Sequence, residues 1–152
     1  MDRALPRAVG PLQAERDRLD LIIEELGVTD DPTIWADLAA ELVRSCSRYE
    51  DVKDSCVYPA LETMGSAIQT LASIREYDSS IRDAMEVIRK RTVHMSPANV
   101  RTDDPEGFDD ALDGLLDEIQ KHLEREDQDL LPLLDKLSPD AADDLADKVT
   151  RR

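Results

Sequence analysis

A long amphipathic stretch near the C-terminus constrains the fold of this chain most strongly. Between residues 112 and 137, apolar side chains recur every three or four positions, which is the spacing of one buried face of an α-helix. The residues of this apolar stripe are Leu112, Leu115, Leu116, Ile119, Leu123, Leu130, Leu133, Leu134 and Leu137. His122 and Glu126 lie four residues apart on or beside the same stripe, so their side chains share one face of the helix. The stretch therefore predicts a packed helix that carries an imidazole and a carboxylate toward its neighbours.

Three earlier segments have the same periodicity, and together the four segments predict an all-α protein. We predict long helices at about residues 11–26, 32–64, 66–91 and 105–137, and a short C-terminal helix at about residues 139–150. The residues between the third and fourth long helices, 92–105, are predicted to form a loop. Leu, Ala, Asp, Glu and Arg dominate the composition, which favours helix over sheet. Four long helices joined by short links favour an up-down-up-down four-helix bundle.

The length and charge of the chain bound its organisation and its partners. We predict a single domain over residues 1–152, with irregular residues 1–10 and a bundle over about residues 11–137. A formal net charge of -16 repels nucleic acids and anionic membranes, so neither is an expected partner. No apolar run approaches the roughly 20 residues of a membrane span, and the first residues lack the apolar core of a signal peptide. These features predict a cytoplasmic protein.

The two cysteines fit a reducing compartment. Cys46 and Cys56 lie ten residues apart on one predicted helix. At about 1.5 Å of rise per residue they are roughly 15 Å apart, which exceeds the reach of a disulfide at about 7 Å between Cα atoms. The same separation is unsuitable for a metal pair. We interpret both residues as reduced thiols in the core.

The second and fourth predicted helices share a pattern that ends in a proline. The second contains YEDVKDSCVYPAL and the fourth contains HLEREDQDLLPLL, so matching the prolines aligns Tyr49 with His122 and Lys53 with Glu126. In this pattern, and in the order and length of its helices, the chain resembles the hemerythrin-like (HHE cation-binding) domains over residues 12–150. The resemblance implies a four-helix bundle that holds two irons between its helices. In that family a His-x-x-x-Glu pair lies on the second and fourth helices, and single histidines on the first and third complete the site.

Four of the six positions that the resemblance assigns to metal ligands carry other residues. The fourth-helix pair is intact as His122 and Glu126. The replaced positions are Arg16 on the first helix, Tyr49 and Lys53 on the second, and Tyr77 on the third. The other histidine of the chain, His94, lies in the predicted loop and matches no ligand position.

This set of residues predicts that the di-iron site has been lost. A di-iron centre needs several imidazoles and bridging carboxylates. The protonated side chains of Arg16 and Lys53 cannot bind a metal ion, and their charges repel it. We therefore expect no cofactor and a non-catalytic binding, sensing or structural role toward an unknown protein or small-molecule partner. The chain also lacks a Gly-rich phosphate loop, a nucleophile elbow and a Cys-His pair at metal spacing, so it does not favour an enzyme.

Two alternatives stay open from the residues alone. Tyrosinate can bind ferric iron, so the chain could be a mononuclear non-haem iron protein that acts on oxygen or peroxide. The ligands of that site would be Tyr49, Tyr77, His122 and Glu126. In the second alternative, the former metal cavity binds a small anion between Arg16, Lys53 and the tyrosines. The simplest interpretation of the tyrosines and of His122 is that they are hydrogen-bonded core residues.

If the metal has been lost, another positive charge must compensate the carboxylate of Glu126. A buried carboxylate without a partner is costly, and in iron-bound relatives the metal supplies the compensating charge. We predict that Glu126 bonds Lys53, Arg16 or both, and that the tyrosines supply the remaining hydrogen bonds. In the competing interpretation, the long side chains of Lys53 and Arg16 extend to solvent and leave Glu126 in water.

Overall fold

The structure, a computed structural model, describes residues 10–92, 94–96 and 99–151. Its helices are α1 (Gly10–Val28), α2 (Pro32–Val52), α3 (Tyr58–Glu62), α4 (Ile68–Lys90), α5 (Pro105–Asp135) and α6 (Pro139–Thr150). A π-helical turn, Lys53–Val57, joins α2 to α3, and a 3-10 turn, Gly65–Ala67, precedes α4. Strands β1 (His94–Ser96) and β2 (Asn99–Arg101) lie between α4 and α5. The predicted all-α bundle with a short C-terminal helix is confirmed.

Side-chain caps and prolines fix where the helices begin. The carboxylate of Asp31 accepts a hydrogen bond from the backbone N–H of Thr33 at 2.9 Å, and a proline occupies the first turn of α2. The hydroxyl of Ser138 accepts from the N–H of Ala141 at 3.2 Å at the start of α6. Both caps satisfy N–H groups that the helix itself leaves without a partner. Of the residues predicted to be irregular, 1–10, only Gly10 is described, and it begins α1.

The apolar stripes of the long helices meet in one core. The rings of Trp35 and Phe108 pack edge to face with centroids 5.5 Å apart and join α2 to α5. Cys46 and Cys56 are free thiols buried in this core. Among the described residues, no helix is both long enough and apolar enough to cross a membrane.

The sequence predicted one long helix over residues 32–64. In the structure this helix is interrupted. Proline has no backbone N–H to donate, so the ladder of hydrogen bonds must adjust near Pro59. The chain opens into the π-helical turn just before this proline and resumes as α3. A π turn holds more residues than an α turn, and such turns are frequent at functional sites. Here the extra residue makes the consecutive residues Cys56, Val57 and Tyr58 all buried.

One further expectation is corrected. The segment 92–105 was predicted to be a loop, but β1 and β2 pair within it as an antiparallel hairpin, with His94 opposite Arg101. Pairing the strands satisfies backbone groups that an open loop would leave to water. At the start of α4, Ile68 is 60% exposed, whereas Ala67 is fully buried. The 3-10 turn before α4 has a tighter period, which shifts the phase of the first residues.

Candidate functional site

Five elements bring the polar side chains of the site together. Residues from α2, the π turn and α3 face residues from α4 and α5 in the centre of the bundle. The residues are Tyr49 and Glu50 on α2, Lys53 on the π turn, Tyr58 on α3, Asp78 on α4, and His122 and Glu126 on α5. Each is at most 3% exposed. We call these seven residues the lysine cluster.

The ammonium group of Lys53 lies at the centre of the lysine cluster and is fully buried. Its Nζ donates hydrogen bonds to Oδ1 of Asp78 at 2.9 Å and to Oε1 of Glu126 at 2.6 Å. Oε1 of Glu50 lies 3.0 Å away, and Nε2 of His122 lies 2.6 Å away. Burial alone would lower the pKa of Lys53, but the charges of Glu126 and Glu50 outweigh it and raise the pKa well above 10.5. Lys53 therefore carries a positive charge inside the bundle.

Two tyrosines complete the hydrogen bonds of two carboxylates. The hydroxyl of Tyr49 donates to Oε2 of Glu126 at 2.5 Å, and the hydroxyl of Tyr58 donates to Oδ2 of Asp78. Both oxygens of each carboxylate are thus bonded. Burial opposes ionisation of Glu126, but the Lys53 charge and the His122 hydrogen bond lower its pKa to about 2. The same two partners, together with Tyr58, lower the pKa of Asp78 against the effect of burial.

His122 contributes further positive charge. Its Nε2 lies 2.7 Å from Oδ1 of Asp78 and 3.1 Å from Oε1 of Glu126. Burial and the neighbouring Lys53 oppose protonation, but the hydrogen bonds to Asp78 and Glu126 prevail and raise the pKa of His122 to about 9. His122 Nε2 lies 2.6 Å from Lys53 Nζ, so the two groups cannot both donate a proton along that line. A proton on Nε2 therefore points to Asp78 and Glu126, and the ammonium of Lys53 is the main charge that compensates these two carboxylates.

Glu50 is the incompletely satisfied member of the lysine cluster. It is 3% exposed, and neither of its carboxylate oxygens has a hydrogen-bond partner. Its Oε1 is close to Nζ of Lys53, but the two atoms are not oriented for a hydrogen bond. Nδ1 of His122 also has no partner. Burial raises the pKa of Glu50 from 4.5 to about 7, although Lys53 acts in the opposite direction.

The substitution Glu50→Gln is expected to increase the free energy of unfolding near pH 8 by about 1–3 kcal/mol. Because the folded pKa of Glu50 is raised, its proton favours the folded state, and this contribution is lost as the pH rises from 4.5 through about 7. The amide cannot ionise, so the variant avoids that loss. Urea denaturation near pH 5 and near pH 8 measures the difference. Glu76→Gln, at an exposed position of α4, is the control. A Glu50→Gln variant that is less stable than the parent near pH 8 would show that the ionised carboxylate supports Lys53.

The structure brings four of the six sequence-predicted site residues into the cluster. Tyr49, Lys53, His122 and Glu126 meet there, and the predicted bond between Lys53 and Glu126 forms at 2.6 Å. The alternative in which Lys53 extends to solvent is wrong, because its side chain is fully buried.

Arg16 and Tyr77 have other contacts. The guanidinium of Arg16 donates to the backbone oxygen of Leu123 at 3.2 Å and to Asp127 at 2.7 Å, so it does not bond Glu126. Tyr77 is half-buried and lies outside the cluster, with its ring 4.8 Å from the guanidinium of Arg125. The assignment of Tyr77 to the site is therefore corrected, because its neighbour Asp78 occupies that place.

Three members of the cluster, Glu50, Tyr58 and Asp78, were missed from the sequence. Asp78 had a usable signal, since it lies four residues after Ile74 and three before Ile81, in the middle of a buried stripe. Tyr77 also fits this stripe, because it lies three residues after Ile74 and four before Ile81. Its aromatic ring made it the preferred choice for the site. The helical periodicity of the sequence did not place Tyr58 on the buried face, because the π turn that shifts it there is not visible in that periodicity.

Metal-ligand atoms lie close together in this cluster. Glu50, Asp78 and His122 each offer one atom, and these atoms are all within 4.8 Å of one another. The family model described as hemerythrin HHE cation binding domain matches residues 10–134. No curated protein and no solved structure gave a match. The match covers most of the chain, and the helices and buried donor atoms agree with it, so this chain belongs to the hemerythrin HHE cation-binding domain family.

Proposed function

We propose that this chain is a member of the hemerythrin family in which the ammonium of Lys53 replaces the metal, and that its role is non-catalytic. One observation carries the proposal: Lys53 Nζ lies between 2.6 and 3.0 Å from Glu50, Asp78, His122 and Glu126. In this proposal the bundle serves binding, sensing or structure. The free, buried cysteines agree with a cytoplasmic location, which stays a prediction.

The donor atoms have the right chemistry for a metal ion, but the space among them is taken. Zinc, for example, binds imidazole and carboxylate at about 2.0–2.2 Å. A metal ion at such distances from Asp78, His122 and Glu126 would coincide with the ammonium group. The chain also contains two histidines in total, and one of them, His94, lies in β1. The residues present therefore do not fit a di-iron centre while Lys53 occupies the cluster.

The electrostatic argument supports the same conclusion. Carboxylates removed from water need positive charge nearby, and in a metal-binding bundle the ion supplies it. Here Lys53 and His122 supply charge to Asp78 and Glu126, whose oxygens are otherwise bonded to tyrosines. A metal ion would add positive charge where Lys53 already provides it.

The mononuclear iron alternative has less support. Its ligand set included Tyr77, which lies outside the cluster. Burial and the charge of Glu126 raise the pKa of Tyr49 well above 10, so this phenol keeps its proton and donates it to Glu126. The anion alternative has less support as well, because an anion at Lys53 would face the carboxylates of Glu50, Asp78 and Glu126.

Purified protein is expected to contain no stoichiometric iron and to be colourless. The physical reason is that Lys53 already neutralises the carboxylates which would otherwise attract a metal ion. Elemental analysis of protein prepared without chelator, together with a visible spectrum, measures this. Two irons per chain with oxo-to-iron absorption would contradict the proposal. One iron with a tyrosinate band would instead favour the mononuclear alternative.

A further inference from the structure

An open groove of about 650 Å³ shares no lining residue with the lysine cluster. Residues of α1, α2 and α5 line it. Its apolar residues are Ile23, Leu26, Trp35, Leu112 and Leu116. Gly27 also lines the groove, and its chain neighbour Val28 is 77% exposed. Ile34, next to Trp35, is 50% exposed. Within the groove, Ile23, Trp35 and Leu116 are half-buried and form the apolar surface that a partner could contact, whereas Leu26 and Leu112 lie in the core beneath them.

A row of acidic side chains borders this apolar surface. Asp109, Asp113 and Asp117 line the groove and follow one another at intervals of four residues on α5. At about 1.5 Å of rise per residue they form a ridge with steps of roughly 6 Å along one helix face. Asp117 pairs with Lys121 at 2.8 Å. Asp109 and Asp113 are exposed, and no cation within the described ranges forms an ion pair with them.

We propose that this groove binds an amphipathic helix of a partner protein, with basic residues along one edge of its apolar face. The apolar residues of such a helix, at positions i, i+3, i+4 and i+7, would cover the groove floor. Lysine or arginine at i+1, i+5 and i+9, along one edge of that apolar face, would repeat the spacing of the aspartate ridge and pair with it. Charge complementarity of this kind selects a partner and speeds its association.

The charge of the chain argues against a second copy as the occupant. With a net charge of -16, two copies repel each other at low salt. The exposed arginines of α4 are already engaged within the chain, where Arg75 pairs with Glu62 and Arg82 with Asp54. A basic helix from another protein meets neither obstacle. The groove is distinct from the lysine cluster, so this proposal can be tested independently of the proposed replacement of the metal by Lys53.

The single tryptophan of the chain makes the groove directly observable. Trp35 is half-buried and lines the groove, so a helix bound there would shield its indole ring from water. The probe is a synthetic helical peptide with leucines at i, i+3, i+4 and i+7 and lysines at i+1, i+5 and i+9. Titration should shift the Trp35 emission to shorter wavelength and reduce its quenching by acrylamide. Binding should weaken as salt rises, because salt screens exposed charges.

Matched variants separate a specific groove from general attraction to an acidic surface. Asp113→Lys should weaken peptide binding by about tenfold or more, because it places like charges opposite each other. Glu76→Lys makes the same change of charge at an exposed position of α4 outside the groove, and it should leave binding nearly unchanged. A scrambled peptide of the same composition, with leucines and lysines spread around the helix, should not protect Trp35.

Three results would overturn the proposal. Equal binding of the scrambled peptide, or equal weakening by both variants, would show attraction to net charge alone. Binding that ignores salt and Asp113→Lys would assign the groove to a neutral apolar ligand. Self-association in light scattering, accompanied by shielding of Trp35 without peptide, would assign it to a second copy of the chain.

Discussion

Lys53→Met is expected to lower the free energy of unfolding by about 3–5 kcal/mol, because it leaves buried carboxylates without their central cation. The methionine fills much of the lysine volume, so the loss reports charge and hydrogen bonds rather than a large cavity. Asp78 and Glu126 each lose a hydrogen bond from Nζ, and Glu50 loses the nearby charge. Chemical denaturation near pH 7 measures the change.

The control is Lys121→Met, which makes the same substitution on α5 at a side chain that is 64% exposed and pairs with Asp117. An exposed ion pair contributes little, so this variant should remain close to the parent in stability. The double variant Lys53→Met with Glu126→Leu should recover part of the loss, because it removes one stranded carboxylate. Recovery should be incomplete, since Asp78 remains. Equal stability of the two lysine variants would refute the internal-cation proposal.

Lys53→Ala is expected to create a metal site at the position of the ammonium group. Alanine removes the ammonium and leaves a cavity beside Glu50, Asp78, His122 and Glu126, which now need a positive charge. We expect one Co²⁺ per chain, detected by its visible spectrum and by elemental analysis. Metal at 100 times its Kd would stabilise the folded state by about 2.7 kcal/mol, so thermal denaturation should become dependent on metal concentration.

Two variants test whether the metal occupies the lysine position. Lys53→Met lacks the charge but fills the space, so it should bind Co²⁺ much more weakly than Lys53→Ala. The double variant Lys53→Ala with His122→Ala loses the imidazole ligand and should also bind weakly. Cobalt binding to the parent protein as tight as to Lys53→Ala would mean that the ammonium does not exclude a metal.

The sequence predicted the fold well because apolar periodicity and capping act locally. The stripe of α5 and the Asp31 cap of α2 depend on residues within one or two helical turns, so both can be identified without the structure. The β1–β2 hairpin was missed because strands of three residues carry too little pattern. A proline such as Pro59 indicates a disturbed helix, but the sequence cannot distinguish a kink from an added π turn.

The site was predictable only as far as helical spacing is unambiguous. His122, Glu126 and Lys53 follow from a spacing of four and from the matched prolines, and the structure places their side chains in contact. Asp78 and Tyr77 both satisfy the period of α4, and choosing between them requires the rotation of that helix against α5. Tyr58 depends on the π turn, which changes the phase of everything after it.

A cation built into a side chain has consequences that a bound ion does not. In our proposal, every copy of the chain acquires its central charge during synthesis, at a fixed ratio of one to one. Folding then does not depend on the iron supply of the cell, and a chelator cannot remove the charge. An ammonium group also has no second oxidation state. Fully buried Lys53 would thus give the bundle the electrostatic support of a metal protein without exposing the cell to the radical chemistry of iron.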